Sequence, residues 1–456
     1  MKLKYTLLLQ LLVVILTAQD AKECYRQGNL LLKNQDYQQA IDYYNKAIQQ
    51  DSSYAFAINN KGRALFELQQ YKQSLDCFDQ VLALQPQNKK AKYQRGRANF
   101  AMAYYENSIL DFSALLDDQE QHLDALYYRG KAYMEVERYT KAINDFKRLI
   151  EWRELDESTA LLYQNAYTLL GMSERYSSQF DAAMKSLNRA IEINANDATA
   201  LYNRAVIKVN NDEVAAGILD LTKSLKIDHA NPIGFYQRGL AYKKQSNNKE
   251  AIKDFTEVVK LNASANMAYV SRGFTYAEMM KYKEAIRDYS KAIELNKNDM
   301  ATYIRRGYAY FEMQQLEQAL NDFTKACLSN TTFKGYAYNN RANVKRAMKD
   351  YDGAINDVNE SIKIDSLNAY AYTNRAKILF ETKGAKASKK DFDRAIELNN
   401  QVAEFYYNRA AYYEAIKAYD KAISDYSKAQ DLDPNYKAKE ISKLLKNAKR
   451  NFLKGS

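Results

Sequence analysis

Proline and glycine are scarce, at three and fourteen in 456 residues. Few turns can therefore rest on the residues that ordinarily make them. The three cysteines, Cys24, Cys77 and Cys327, lie in different segments with no C-x-x-C spacing, which excludes a disulfide framework. The two histidines, His122 and His229, are far apart and lack ligand-like spacing, so each reads as a surface or loop residue rather than a metal ligand. No G-x-S-x-G, H-E-x-x-H, P-loop or G-x-G-x-x-G stretch occurs. Acid pairs such as Asp117-Asp118 read as solvated turns. Nothing here points to an enzyme, a cofactor, a metal or a small-molecule substrate. What is abundant is tyrosine, at 39 residues, and charge of both signs, with 67 Lys and Arg against 56 Asp and Glu, net +11. The charges are interspersed, which suits a solvated helical surface and argues against a nucleic-acid partner.

The N-terminus differs from the rest. Lys2 and Lys4 precede an apolar run from Leu7 to Leu16, followed by Thr17-Ala18-Gln19. That is the layout of a secretory signal peptide over residues 1–18. The run is too short to span a bilayer comfortably. Export to a periplasm or to the exterior is the expectation, with an N-terminal membrane anchor as the alternative. No small-residue motif of a lipoprotein precedes Cys24.

Gly28, Gly62, Gly96 and Gly130 are each 34 residues apart. Tyr37, Tyr71, Tyr105 and Tyr139 follow nine residues later, then small residues (Ala40, Ser74, Ser108, Ala142), then aromatics (Tyr44, Phe78, Phe112, Phe146). The pattern continues to the stretch 406–434. It resembles the tetratricopeptide repeat, a 34-residue helix-turn-helix unit. Twelve copies are read, starting at Ala21, Ala55, Lys89, Leu123, Gln164, Ala198, Pro232, Asn266, Met300, Gly335, Ala369 and Ala403. Copies 1–4 cover 21–156, an insertion occupies 157–163, and copies 5–12 cover 164–436, with Lys334 a single extra residue. Residues 437–456 read as a capping helix with Ile441, Leu444, Leu445, Ala448 and Phe452 on one stripe, and a basic membrane-surface helix as the alternative. The resemblance implies an all-α fold, a right-handed α-α superhelix in which hairpins that cannot bury their apolar faces alone stack on one another.

Numbering each copy from 1 exposes a coupling. Arginine holds position 7 in nine copies, and aspartate holds position 23 in the same nine. The pairs are Arg95 with Asp111, Arg129 with Asp145, Arg204 with Asp220, Arg238 with Asp254, Arg272 with Asp288, Arg306 with Asp322, Arg341 with Asp357, Arg375 with Asp391 and Arg409 with Asp425. Copies 1, 2 and 5 lack both, with Leu170 and Ser186 in copy 5. In a hairpin that turns near position 15 the two positions stand at equal height on opposite helices. A guanidinium can then fork onto the carboxylate, so these are structural ion pairs.

With arginine assigned to structure, binding falls to the concave face, which in this family is lined by the first helix of each copy at positions 2, 5, 6, 9 and 12. Position 5 is Tyr25, Tyr93, Tyr127, Tyr202, Tyr236 and Tyr407 in six copies. Position 6 is Asn60, Asn203, Asn340, Asn374 and Asn408 in five. An asparagine row offers donors and acceptors to the backbone of an extended peptide, similar to the asparagine ladder of O-linked N-acetylglucosamine transferase. Co-chaperones of the family clamp a terminal carboxylate with five side chains. Here Asn29, Asn60 and Lys90 match that set, but Tyr25 and Gln94 replace the first lysine and the arginine. The expectation is a non-catalytic scaffold of the bacterial cell envelope that binds an extended segment of another protein. The alternative is a basic envelope-associated assembly factor contacting membrane or anionic polymer.

Overall fold

The computed structural model describes residues 20–118, 122–151, 160–329 and 331–455. The proposed signal peptide lies outside them, as do Trp152 and the first part of the insertion.

The chain divides into two compact units, Met1–His229 and Ala230–Ser456. Unit 1 holds α1 (20–33), α2 (Tyr37–Gln50), α3 (Ala55–Glu67), α4 (Tyr71–Leu84), α5 (Lys89–Ala101), α6 (Tyr105–Asp118), α7 (Leu123–Glu135), α8 (Tyr139–Glu151), α9 (Ala160–Tyr176), α10 (Phe180–Ile193), α11 (Ala198–Asn210) and α12 (Val214–Ile227). Unit 2 holds α13 (Pro232–Lys244), α14 (Asn248–Leu261), α15 (Asn266–Glu278), α16 (Tyr282–Leu295), α17 (Met300–Glu312), α18 (Leu316–Leu328), α19 (Lys334–Ala347), α20 (Tyr351–Ile364), α21 (Ala369–Lys383), α22 (Ala385–Leu398), α23 (Ala403–Ala415), α24 (Tyr419–Leu432) and α25 (Ala438–Gly455). No strand occurs among the described residues. The helices pair in chain order, odd with even, and each pair packs on the next within its unit.

The hairpin turns are made almost without glycine. Position 15 takes a left-handed φ in eleven copies, at residues as varied as Gln69, Ala103, Glu137 and Met280. The bonding shows why other residues serve. After Gln69, the Gln70 N–H reaches the Leu65 carbonyl (2.9 Å) and the Gln69 N–H the Phe66 carbonyl (2.9 Å). These bonds satisfy carbonyls that a helix end would leave orphaned, and offset the strain of the turn.

The glycine of position 8 has a different cause. A Cβ on Gly130 would stand 2.7 Å from the edge of the Phe146 ring, which is itself fully buried. The helices meet there because one carries no side chain. Serine at position 20 adds a bond across the same contact, as Ser74 Oγ donates to the Gly62 carbonyl (2.7 Å) and Ser108 Oγ to that of Gly96 (2.9 Å).

All nine arginines fork onto their aspartates, with donor–acceptor distances of 2.6–3.1 Å. The aspartates are buried. The third nitrogen does something the coupling within each copy does not reveal. Arg Nη1 donates to position 25 of the preceding copy: Asp79 from Arg95, Ser113 from Arg129, Asn188 from Arg204, Thr256 from Arg272, Ser290 from Arg306, Thr324 from Arg341, Asn359 from Arg375 and Asp393 from Arg409, at 2.7–3.3 Å. The arginine therefore joins two hairpins as well as the two helices of one. Tyrosines flank it: the Arg306 guanidinium lies 5.6 Å from the Tyr303 ring and 5.7 Å from Tyr310, and Arg409 sits likewise against Tyr406 and Tyr413. That position accounts for part of the tyrosine excess.

Copy 5 inverts the arrangement. Its buried Glu174 accepts from Ser186 Oγ (2.7 Å) and faces Lys147 of copy 4 (3.9 Å). Stacking continues across the insertion, with Leu149 packed with Tyr163 and Ala166. Residues 160–163 form the first turn of α9. Burial pushes the Glu174 carboxyl above the usual glutamate range, and the Ser186 bond and Lys147 pull it back less. The folded state thus holds the proton more tightly than the unfolded one, so stability falls as pH rises from about 4.3 through the raised value. Glu174→Gln is expected to be more stable than the native protein at neutral pH, with the difference vanishing below about pH 4. Paired urea unfolding curves at pH 3.5 and pH 7 check this.

At the C-terminus, α25 packs Ile441, Leu444 and Leu445 against Ala410, Tyr426 and Ala429. Most of its apolar stripe is covered by the last hairpin, while Phe452 and Leu453 stay exposed. No described helix is long and apolar enough to cross a membrane. Cys77 and Cys327 are buried, and burial pushes both thiols up to about 11.

Candidate functional site

On the odd-numbered helices of unit 1, a cleft of about 620 Å³ opens across α1, α3 and α5. Tyr25, Asn60 and Tyr93, three of the residues singled out from the sequence, line it together. Phe56, Asn59, Arg63, Lys89, Lys90 and Gln94 complete most of the wall. Phe56 is 64% exposed.

A polar network sets the floor. Tyr44 OH donates to Asn29 Oδ1 (2.9 Å), and Asn60 Nδ2 donates to the same oxygen (2.8 Å) and to Tyr25 OH (3.3 Å). Burial pushes the Tyr44 hydroxyl up to about 12, so it stays a donor. Asn59 Nδ2 donates in turn to Asn60 Oδ1 (3.2 Å). Asn60 is thereby fully occupied. The open capacity belongs to its neighbour: Asn59 Oδ1 is buried and has no partner among the described residues. On the far wall, His122 stacks on Tyr93 with centroids 5.1 Å apart, while its Nδ1 accepts from the Ala125 N–H and caps α7. Arg97 lies 4.5 Å above the Phe66 ring and donates to Gln94.

Models of the tetratricopeptide repeat match residues 21–54, 55–88, 124–151, 164–197, 234–264, 267–299, 301–332, 335–366 and 374–437, well over half of the chain. The chain is a tetratricopeptide repeat protein. Among curated proteins none matches the sequence. Among solved structures it is similar to yeast Tom70, at 16% identity over 95% of this chain and 96% of that one, TM-score 0.43. The Cut9 and Hcn1 hetero-tetramer of the APC/C is similar at 13% identity over 94% and 96%, TM-score 0.47. A tetratricopeptide repeat protein from Parabacteroides merdae is similar at 20% identity over 56% and 98%, TM-score 0.39.

Elsewhere on this tetratricopeptide chain the residues picked for the groove are placed less openly. Asn203 is 1% exposed, accepting from Arg175 Nε (2.9 Å) and donating to the Thr199 carbonyl (2.8 Å). Asn374 is buried and donates to Asn339 (2.8 Å). Asn203 has both amide atoms engaged, and Asn374 commits one N–H to Asn339. Asn340 is half-buried, and Asn408 has a buried Nδ2 with no partner among the described residues. The row of three in unit 2 is therefore interrupted at its centre.

The tyrosines divide in the same way. Tyr127 packs on the core beside Tyr128 and Lys131. Tyr202 is half-buried, and burial raises its hydroxyl. Tyr236 shares a hydrogen bond with Ser271 (3.1 Å) and leans on Phe255. Tyr407 donates to Glu440 (2.7 Å) beneath Lys437 and Tyr436, so the start of α25 already covers it. The family resemblance implied which positions face inward. It could not show which copies bring residues together without satisfying them internally.

Proposed function

We propose that this protein is a non-catalytic scaffold that binds an extended segment of a partner protein along its inner face, chiefly in the unit 1 cleft. One observation carries the reading: the cleft brings Tyr25, Asn60 and Tyr93 from three successive copies to one wall, with Asn59 Oδ1 unsatisfied beside them. Tyrosine supplies rigid apolar area at low entropic cost, and side-chain amides on the wall can hydrogen-bond a guest backbone. The site of action is the bacterial cell envelope, an assignment motivated by the layout of residues 1–18. N-terminal sequencing of the mature chain is expected to begin at Gln19; a chain starting at Met1 would point to the anchored alternative. The reading as a membrane-contacting assembly factor is weaker, because α25 turns most of its apolar stripe onto the last hairpin.

Selection of peptides from a random display library against the full chain tests the binding claim. Enriched sequences are expected to lose at least tenfold in affinity on Tyr25→Ala with Tyr93→Ala. Unchanged affinity would place the binding surface elsewhere.

A further inference from the structure

The charge around the cleft is one-sided. Arg63, Lys89 and Lys90 line it, and no aspartate or glutamate does. The acid that bears on Tyr93, Asp124, stands outside the lining. Some cations elsewhere on the chain are engaged with acids, as in Arg26 with Glu23, Arg138 with Glu106 and Lys377 with Glu404. Arg63, Lys89 and Lys90 enter no ion pair among the described residues. Three uncompensated cations at the rim of a concave, tyrosine-lined wall raise the local potential and favour an anionic guest.

We propose, resting on the reading of the cleft as the binding surface, that its occupant is an internal acidic stretch of polypeptide carrying an apolar residue. Carboxylate side chains meet Arg63 on one side and Lys89 and Lys90 on the other. The apolar residue lies against Phe56 and the rings of Tyr25 and Tyr93. The occupant is internal because Tyr25 and Gln94 occupy the places where the family's terminal clamp carries a lysine and an arginine, which leaves Arg63 as the one guanidinium in the lining, and Gln94 Oε1 already accepts from Arg97. It is a polypeptide because the wall between the cations consists of amides and rings matched to backbone groups and apolar side chains.

The test uses fluorescence anisotropy with the full chain and labelled 12-residue peptides that alternate glutamate with leucine and phenylalanine. Both ends are blocked by acetylation and amidation. Binding is expected, with at least a tenfold loss when glutamates become glutamines, at least a tenfold loss on Arg63→Ser with Lys90→Ser, and no change on Lys283→Ser in the other unit. Affinity is expected to fall steeply between 50 and 300 mM salt. Equal binding of the glutamine peptide, still lost on Tyr25→Ala with Tyr93→Ala, would overturn the acidic occupant and leave the cleft reading standing. Insensitivity to both cleft variants would overturn both. Capture of only the peptide with a free C-terminal carboxylate would refute the internal mode. Equal competition by a 12-nucleotide oligothymidylate would refute the polypeptide.

Discussion

Arg306→Met is expected to destabilise its part of unit 2 by about 3–5 kcal/mol, the scale for removing one partner of a buried ion pair. Asp322 is 3% exposed, and both its oxygens accept from Arg306, at 2.8 Å each. Without the guanidinium that carboxylate is buried, charged and unpaired, and the bond to Ser290 of the preceding copy is lost as well. Arg306→Met combined with Asp322→Leu is expected to recover most of the loss, because apolar replacement of both partners removes the desolvation penalty with the attraction. Arg306→Lys should fall between, since an ammonium cannot fork onto Asp322 and reach Ser290 together. Repeat arrays need not unfold in one step. Amide exchange in α17 and α18 is therefore the readout, beside the urea midpoint. If the single and double variants exchange alike, the arginine contributes mainly its apolar stem.

Gly130→Leu is expected to cost about 3 kcal/mol, while Gly130→Ala stays within about 1 kcal/mol of the native protein. The chain supplies its own control. Copies 11 and 12 carry Ala376 and Ala410 at this position, packed in clusters with the buried Phe392 and Tyr426. One methyl can therefore be accommodated by a small shift of the facing ring, and its better helix propensity offsets the strain. A branched side chain has no such room against Phe146, which is buried and packed with Ile143 and Leu170. Exchange rates in α7 and α8 distinguish the two variants. A leucine variant as protected as the native chain would mean that the hairpin can part without loss.

How much of this was legible in the residues alone depends on whether a feature repeats. The helices, their pairing and the Arg–Asp forks recur every 34 residues, and nine matched pairs in one chain amount to an internal comparison. The bond from each arginine to the preceding copy was hidden because position 25 is variously Asp79, Ser113, Asn188 or Thr256, all of which can accept from the same nitrogen. Glu174 was hidden because it replaces an acid of position 23 from position 11. The turns were hidden because a left-handed backbone at Ala103 or Met280 carries no residue signature, only a bonding pattern. The asparagine row failed for a related reason. Spacing places an amide on a face, but whether it stays open depends on one neighbour, such as Asn339 beside Asn374 or Arg175 beside Asn203. The same logic hid Asn59, whose value lies in being left over once Asn60 is satisfied.

These placements commit the position-7 arginines, their aspartates and the tyrosines beside them to construction. Arginine joins successive hairpins in eight copies. On the proposed reading, recognition falls to the cleft over α1, α3 and α5, where Arg63, Lys89 and Lys90 line a wall that no acid lines.

Site-specific photocross-linking tests that claim most directly. A benzophenone amino acid replaces Phe56 in the cleft or, in a separate protein, Leu110 on α6, two apolar residues of nearly equal exposure at 64% and 67%. Each protein is irradiated with a display-selected peptide at a concentration near its Kd. A covalent adduct at position 56 and none at position 110 is the predicted result. Adduct at 110 with none at 56 would contradict it, and move recognition to the outer helices.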